Sequence, residues 1–323
     1  MTERPPYDRW FGAEAFDATY GYDLDALLAV EAPPEPPGFA DFWSGLYSRA
    51  AAVDPAPRLT RIDASGDTHV FEVAYTSLGG VRLGGWVSLP ARGDAEDAMV
   101  VGHGYGGRDA PDLDLVPDRT AAIFPVARGL PTAGLADGIP AASGEHVLHG
   151  IEAVESYVHG GCAADLWIAA SALLRVVGEA PARLDYVGAS FGGGIGALAL
   201  PWDPRFTAAV LRVPSFGQHD LRLTMPCTGS GEAVRGYVAE HPEARDVLRH
   251  FDAATAAGRL RIPTMVAPAT WDAAVPPPGQ FAVYNALAGP KELFVFSAGH
   301  ADYPGEPDEY TRFVRAATAF LRS

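Results

Sequence analysis

The chain is 323 residues long, 48% hydrophobic and 20% charged, proportions that suit a folded globular core and argue against disorder. Its 40 acidic and 24 basic side chains give a formal net charge of -16, which repels phosphate backbones and anionic membrane surfaces and so argues against nucleic-acid or membrane partners. Two cysteines, Cys162 and Cys227, are too few for a disulfide framework or a cysteine-rich zinc module and suit a reducing compartment. The opening Met1-Thr2-Glu3-Arg4-Pro5-Pro6 has no apolar signal-type stretch, and no run of about 18 apolar residues stands out as a bilayer span. The expectation is a soluble, cytoplasmic protein.

In chain order, the first 60 residues are broken by Pro33-Pro34, Pro36-Pro37, Pro55 and Pro57. Between these breaks Phe39, Phe42, Trp43, Leu46 and Tyr47 recur at helical spacing, which predicts an amphipathic helix cladding a larger core. His69–Thr76 and Val81–Leu89 read as a β-hairpin turned at Gly79-Gly80. Beyond Gly93-Asp94, short apolar runs alternate with helical stretches. The runs are Ala98–Val101, Ala121–Val126, Leu184–Val187, Ala208–Leu211, Thr264–Ala267 and Leu293–Phe296, and the helices are expected at 161–178, 193–200, 279–288 and 307–321. Strands so short and continuous suit burial on both faces. The predicted fold is therefore α/β, a mostly parallel sheet with helices on both sides. One domain over 1–323 is expected, with residues 1–60 as an N-terminal extension and a helical insertion at 215–258.

The strongest chemical signal is Gly188-Ala189-Ser190-Phe191-Gly192-Gly193-Gly194, a G-x-S-x-G motif between a predicted strand and a predicted helix. Small neighbours let the chain turn tightly and present the Ser190 hydroxyl at a helix N-terminus. Serine needs a base to act as a nucleophile, and in this arrangement the acid and then the histidine follow it in the chain. Of the downstream histidines His219, His241, His250 and His300, only His300 sits in a loop just past a predicted strand. His241 and His250 fall in a charged helical stretch and are expected to face solvent. Asp272 follows the strand Thr264–Ala267 and is the expected orienting acid; Asp302 is the alternative, but lies only two residues from His300. An oxyanion hole needs two donors. The backbone N–H of Phe191 supplies one, and the loop His103-Gly104-Tyr105-Gly106-Gly107 offers that of Tyr105.

Two other patterns carry less. His146-x-x-His149, with Glu145, Glu152 and His159 nearby, has no third ligand at a metal-site spacing, so no metal is expected. Gly102-x-Gly104-x-x-Gly107 has the glycines of a dinucleotide loop without the acidic residue such a site needs, so no cofactor is expected.

Taken together, these segments resemble the carbohydrate esterase family 7 group of α/β-hydrolases, the acetyl xylan esterases and cephalosporin C deacetylases. The residues that carry the resemblance are Phe39-Ala40-Asp41-Phe42-Trp43, the His103–Gly107 loop, Arg128-Gly129, the Ser190 motif, Asp272 with Val275-Pro276-Pro277, Phe281–Asn285, Ala288–Glu292 and Gly299-His300. The resemblance implies Ser190, Asp272 and His300 as a triad, Tyr105 and Phe191 as backbone oxyanion donors, and hydrolysis of small acyl esters, chiefly acetates. It also implies a homo-oligomer, often a hexamer in this family. The chain departs from the family pattern at Leu130, Phe191 and Ala301, where the family usually carries Gln, Gln and Glu. A serine esterase on a small-molecule ester is thus expected. Acyl transfer in a site lined by Phe191, or a binding protein that kept the fold, are the alternatives.

Overall fold

The structure is a computed structural model that describes residues 5–12, 16–63, 68–178 and 181–323. Among the described residues nine strands form one sheet: β1 (Arg58–Asp63), β2 (Thr68–Thr76), β3 (Arg82–Pro90), β4 (Asp97–Val101), β5 (Thr120–Pro125), β6 (Leu184–Ala189), β7 (Ala208–Arg212), β8 (Thr264–Ala267) and β9 (Lys291–Leu293). Their order is β1-β2-β3-β5-β4-β6-β7-β8-β9. The first three strands and the β3–β5 pair are antiparallel, and β5 through β9 run parallel. Every residue of β5 and of β8 is buried. Successive strand residues face opposite sides, so such runs require cover on both faces. This is the α/β-hydrolase architecture the sequence predicted. The strand order reverses at β4, and in open α/β sheets the crevice beside such a reversal, at the strands' carboxyl ends, is where ligands bind.

The helix Val158–Val177 packs on β4, β5 and the helix Phe191–Ala199 that follows β6. By length and composition it is apolar enough to cross a membrane, where the sequence was expected to hold no such span. Its buried Asp165 and the burial of most of its surface mark it instead as a core helix. The helix Phe39–Ala51 buries Phe39, Trp43, Leu46 and Ala50, and Trp43 donates its indole N–H to the carbonyl of His250 at 2.9 Å. That helix is therefore the predicted cladding.

Three expectations needed correction. β1 was not anticipated, because it is an exposed edge strand whose apolar residues, Leu59 and Ile62, lie among Arg58, Thr60 and Arg61 without period-two alternation. The last strand is Lys291–Leu293, not Leu293–Phe296, since the ladder with β8 passes through exposed Lys291 and Glu292 and only Leu293 of the apolar run belongs to it. The helix after Ser190 starts at Phe191, so Gly192, Gly193 and Gly194 form its first turn. The stretch 215–258 contains four helices, His219–Arg222, Ser230–Glu240, Ala244–His250 and Ala253–Ala257. Trp43→Ala should lower the free energy of unfolding in urea by about 3–5 kcal/mol, since it opens a cavity in a closed core and orphans the His250 carbonyl.

Candidate active site

β6 ends at Ala189, and Ser190 then takes φ 54° and ψ -114°, a region that side chains avoid. Hydrogen bonds hold it there. Its N–H donates to the Arg212 carbonyl at 2.9 Å, and its own carbonyl accepts from Gly194 and Ser215, each at 3.0 Å. The turn also needs close backbone approach: a Cβ on Gly192 would lie 2.8 Å from the His103 oxygen, and one on Gly194 would lie 2.4 Å from that of Ser215.

His300 follows β9 and Asp272 follows β8. The His300 Nδ1–H donates to Asp272 Oδ2 at 2.7 Å, and Nε2 lies 2.7 Å from Ser190 Oγ, placed to accept the hydroxyl proton. Asp272 is fully buried, yet each oxygen has two donors. Oδ1 accepts from the Ala274 and Val275 amides, both at 2.9 Å, and Oδ2 accepts from His300 and from Gln280 Nε2 at 2.9 Å. Gln280 also accepts the Ala269 N–H at 2.8 Å through its side-chain oxygen, tying the helix Pro277–Ala286 to the Asp272 loop. Nothing in the sequence pointed to Gln280 except that a polar side chain sits in an otherwise apolar helical stretch. The alternative acid, Asp302, is exposed and lines the cavity without reaching His300.

A cavity of about 690 Å³ opens over Ser190 and His300. Gly104, Tyr105 and Gly106 form one wall, and Ser143, Thr228, Ser230, Arg212, Asp302 and Glu306 make much of the rest polar. Among the described residues, neither the Tyr105 amide nor the Phe191 amide donates to a protein carbonyl. Tyr105 lines the cavity together with Ser190, and Phe191 follows Ser190 directly in the chain.

The loop that carries Tyr105 is braced by groups the sequence reading did not assign. His103 donates Nδ1–H to the Gly104 carbonyl at 2.6 Å and accepts the Ala127 N–H on Nε2 at 3.0 Å. Its carbonyl accepts the Gly192 N–H at 2.8 Å, which joins the loop to the turn at Ser190. Tyr105 donates its hydroxyl to His146 Nδ1 at 2.9 Å, and His146 Nε2–H donates to the Arg128 carbonyl at 2.9 Å. Both His146 nitrogens are thus engaged by protein groups. Arg128 in turn clamps the buried Asp165, with Nη2 2.7 Å and Nε 3.0 Å from its oxygens. The Arg128-Gly129 motif therefore supports the site from behind. His219 is buried and His241 is exposed, while half-exposed His250 bonds the Pro37 and Asp246 carbonyls.

The residues that depart from the family pattern also have definite places. Leu130 is fully buried in the core. The Phe191 ring does not line the cavity, contrary to expectation. It packs inward on Tyr105 (centroids 4.6 Å apart), His103 (5.8 Å) and Phe216 (6.0 Å), because the first helical turn after Ser190 faces the core. Ala301 lines the cavity.

Burial, with the Arg108 cation nearby, pushes the His103 ring down to about 4, so it stays neutral and keeps Nε2 free to accept. The folded ring binds its proton more weakly than the unfolded one. The stability it confers is complete above pH ~6.5 and is lost as pH falls toward about 4. His103→Gln, which keeps an acceptor but cannot titrate, should therefore lose less stability than the natural chain between pH 7 and 4. The difference should approach roughly 3 kcal/mol in urea unfolding measured across that range.

A family model described as "Acetyl xylan esterase (AXE1)" matches residues 24–316. An acetyl xylan esterase from Paenibacillus is similar in structure, with a TM-score of 0.75 and 22% identity over 91% of this chain and 99% of that one. Acetyl xylan esterase 1 from Thermoanaerobacterium gives a TM-score of 0.76 and 20% identity over 94% and 99%. An acylaminoacyl peptidase from Pyrococcus horikoshii shares the fold more distantly, with a TM-score of 0.58 and 14% identity over 84% of this chain and 42% of that one.

Proposed function

The chain belongs to the acetyl xylan esterase family and is a carboxylic-ester hydrolase, and from that premise we propose that it removes acetyl groups from sugar hydroxyls through Ser190, His300 and Asp272. The observation that carries this reading is the pair of 2.7 Å contacts joining the Ser190 hydroxyl, the His300 ring and the buried Asp272 carboxylate at the floor of the cavity.

In this mechanism His300 Nε2 takes the Ser190 proton as the oxygen attacks the ester carbonyl. The carbonyl oxygen, now negative, is held by the Tyr105 and Phe191 amides, whose dipoles need no reorganisation. His300 then gives its proton to the departing sugar oxygen, leaving acetyl-Ser190. Water enters, loses a proton to the same nitrogen and attacks the acetyl carbonyl, and collapse returns the proton to Ser190 and releases acetate. Asp272 fixes the ring with Nδ1 as donor and stabilises the imidazolium formed at each half.

The cavity lies within the range that encloses small ligands, and its hydroxyls and charged groups suit a hydroxyl-rich alcohol. Acyl transfer loses its support, because Phe191 faces the core and leaves a polar cavity that admits water.

Ser190→Ala should lower kcat for p-nitrophenyl acetate by at least ~10³-fold and abolish labelling by a fluorophosphonate probe, with the melting temperature nearly unchanged. Full turnover by that variant would refute the assignment. Asp272→Asn should reduce kcat by ~10³–10⁴-fold, because an amide can present its NH2 to His300 and favour the wrong tautomer. An intact rate in steady-state assays would count against Asp272 as the orienting acid.

A further inference from the structure

Residues 5–12 and 16–22 precede the family match, which begins at residue 24, and they lie against the loops that carry Asp272 and His300. Phe11 stacks on Trp271, the neighbour of Asp272, with centroids 3.7 Å apart and planes 19° from parallel. Trp10 stacks on Tyr303, three residues beyond His300, at 5.4 Å. The Tyr7 hydroxyl meets both loops at once: it lies 2.7 Å from Thr270 Oγ1 and donates to the Ser297 carbonyl at 2.9 Å. The Ala18 carbonyl accepts the backbone N–H of Asp272 itself at 3.1 Å. Tyr20 reaches a third segment and donates its hydroxyl to the Pro226 carbonyl at 2.7 Å, two residues before Thr228 on the cavity rim.

Apart from that of Tyr20, these contacts fall on Asp272 or within three residues of Asp272 or His300. The two loops also bond each other directly: near the strands through Phe296 N–H to the Pro268 carbonyl at 2.8 Å and Thr270 N–H to the Phe296 carbonyl at 3.1 Å, and farther out through Gly299 N–H to the Trp271 carbonyl at 2.8 Å and the His300–Asp272 pair. Gly299 also allows them to close, since a Cβ there would lie 2.3 Å from Asp272 Oδ2. The N-terminal segment is seated on both loops and bridges them.

We propose that this N-terminal segment is a positioning strap, in which Tyr7, Trp10 and Phe11 hold the Asp272 and His300 loops in register so that His300 stays within proton-transfer reach of Ser190. The proposal rests on the esterase reading above. Its residues act through Trp271, Tyr303 and the Asp272 amide and do not touch substrate.

The test is the full-length double variant Trp10→Ala/Phe11→Ala, assayed with p-nitrophenyl acetate well below its melting temperature. The expected result is a fall in kcat of ~10-fold or more with KM within about twofold, because sub-ångström misplacement of reacting groups is costly while neither substituted ring lines the cavity, Trp10 meeting it only through Tyr303. Fluorophosphonate labelling should slow in parallel. The conservative pair Trp10→Phe/Phe11→Tyr, which keeps both stacks, should restore kcat. Should the double variant fail to fold, Phe11→Leu and Tyr7→Phe are read in the same way. Unchanged kcat with a lowered melting temperature would overturn the proposal and leave the segment a stabilising one. A raised KM with kcat intact would overturn it too, and make the segment a cavity wall. In both cases the natural chain still turns over and labels. A natural chain that does neither would overturn the esterase reading beneath the strap, and the strap with it.

Discussion

The site depends on a backbone constraint: Ser190 must hold a positive φ at the end of β6 while two other chain segments, around His103 and around Ser215, approach the turn within van der Waals distance. Such a residue costs on the order of 1–3 kcal/mol and persists only where its surroundings over-determine it. Here the surroundings are Arg212, Gly194 and Ser215, which bond both ends of the Ser190 peptide unit, and the glycines that let the His103 and Ser215 backbones close in. The helix that starts directly after Ser190 turns the Phe191 ring away from the cavity and into the core. The partial exposure of Ser190 and the burial of Phe191 are therefore consequences of one conformation.

A second constraint is the burial of Asp272. A carboxylate taken wholly out of water is costly unless every lone-pair direction is met, and four donors meet it here. Two come from the turn immediately after it, so the residue also does the local turn-forming work that a bland reading of the sequence would assign to it. The remaining two, Gln280 and His300, come from separate elements. The structural and the proposed catalytic roles coincide in one side chain, because satisfying the carboxylate and orienting the imidazole are the same hydrogen bonds.

Much of this was legible in the sequence because the relevant signals are local. The buried strands appear as continuous apolar runs, and the Ser190 turn appears as small residues between a strand and a helix. Asp272 and His300 sit directly past strands, where a parallel sheet gathers its loops. What was not legible depends on partners distant in the chain. Gln280, His103 and His146 carry no periodic or motif signature; their roles follow from which carbonyl or amide they meet after folding. β1 escaped because an exposed edge strand needs no apolar face. The inward turn of Phe191 escaped because a motif specifies the residue order but not the direction of a helix's first turn.

Leu130, Phe191 and Ala301 show how support can be exchanged while a geometry is kept. Leu130 contributes packing where a polar residue would need a buried partner. Phe191 joins Tyr105, His103, His159 and Phe216 in an aromatic cluster under the cavity floor, so the loop bearing the Tyr105 amide rests on ring contacts together with the Tyr105–His146 hydrogen bond. A backbone donor does not depend on its side chain, which leaves positions 105 and 191 free to change their means of support. Ala301 removes a carboxylate-sized group from beside His300, and the aromatic layer formed by Trp271, Tyr303 and the rings of the N-terminal segment lies behind that loop. In each place apolar contact occupies ground where directional bonds would otherwise act. Packing holds a loop only if it is covered on its outer side as well, and here that cover comes from residues that precede the span matched by the family, 24–316.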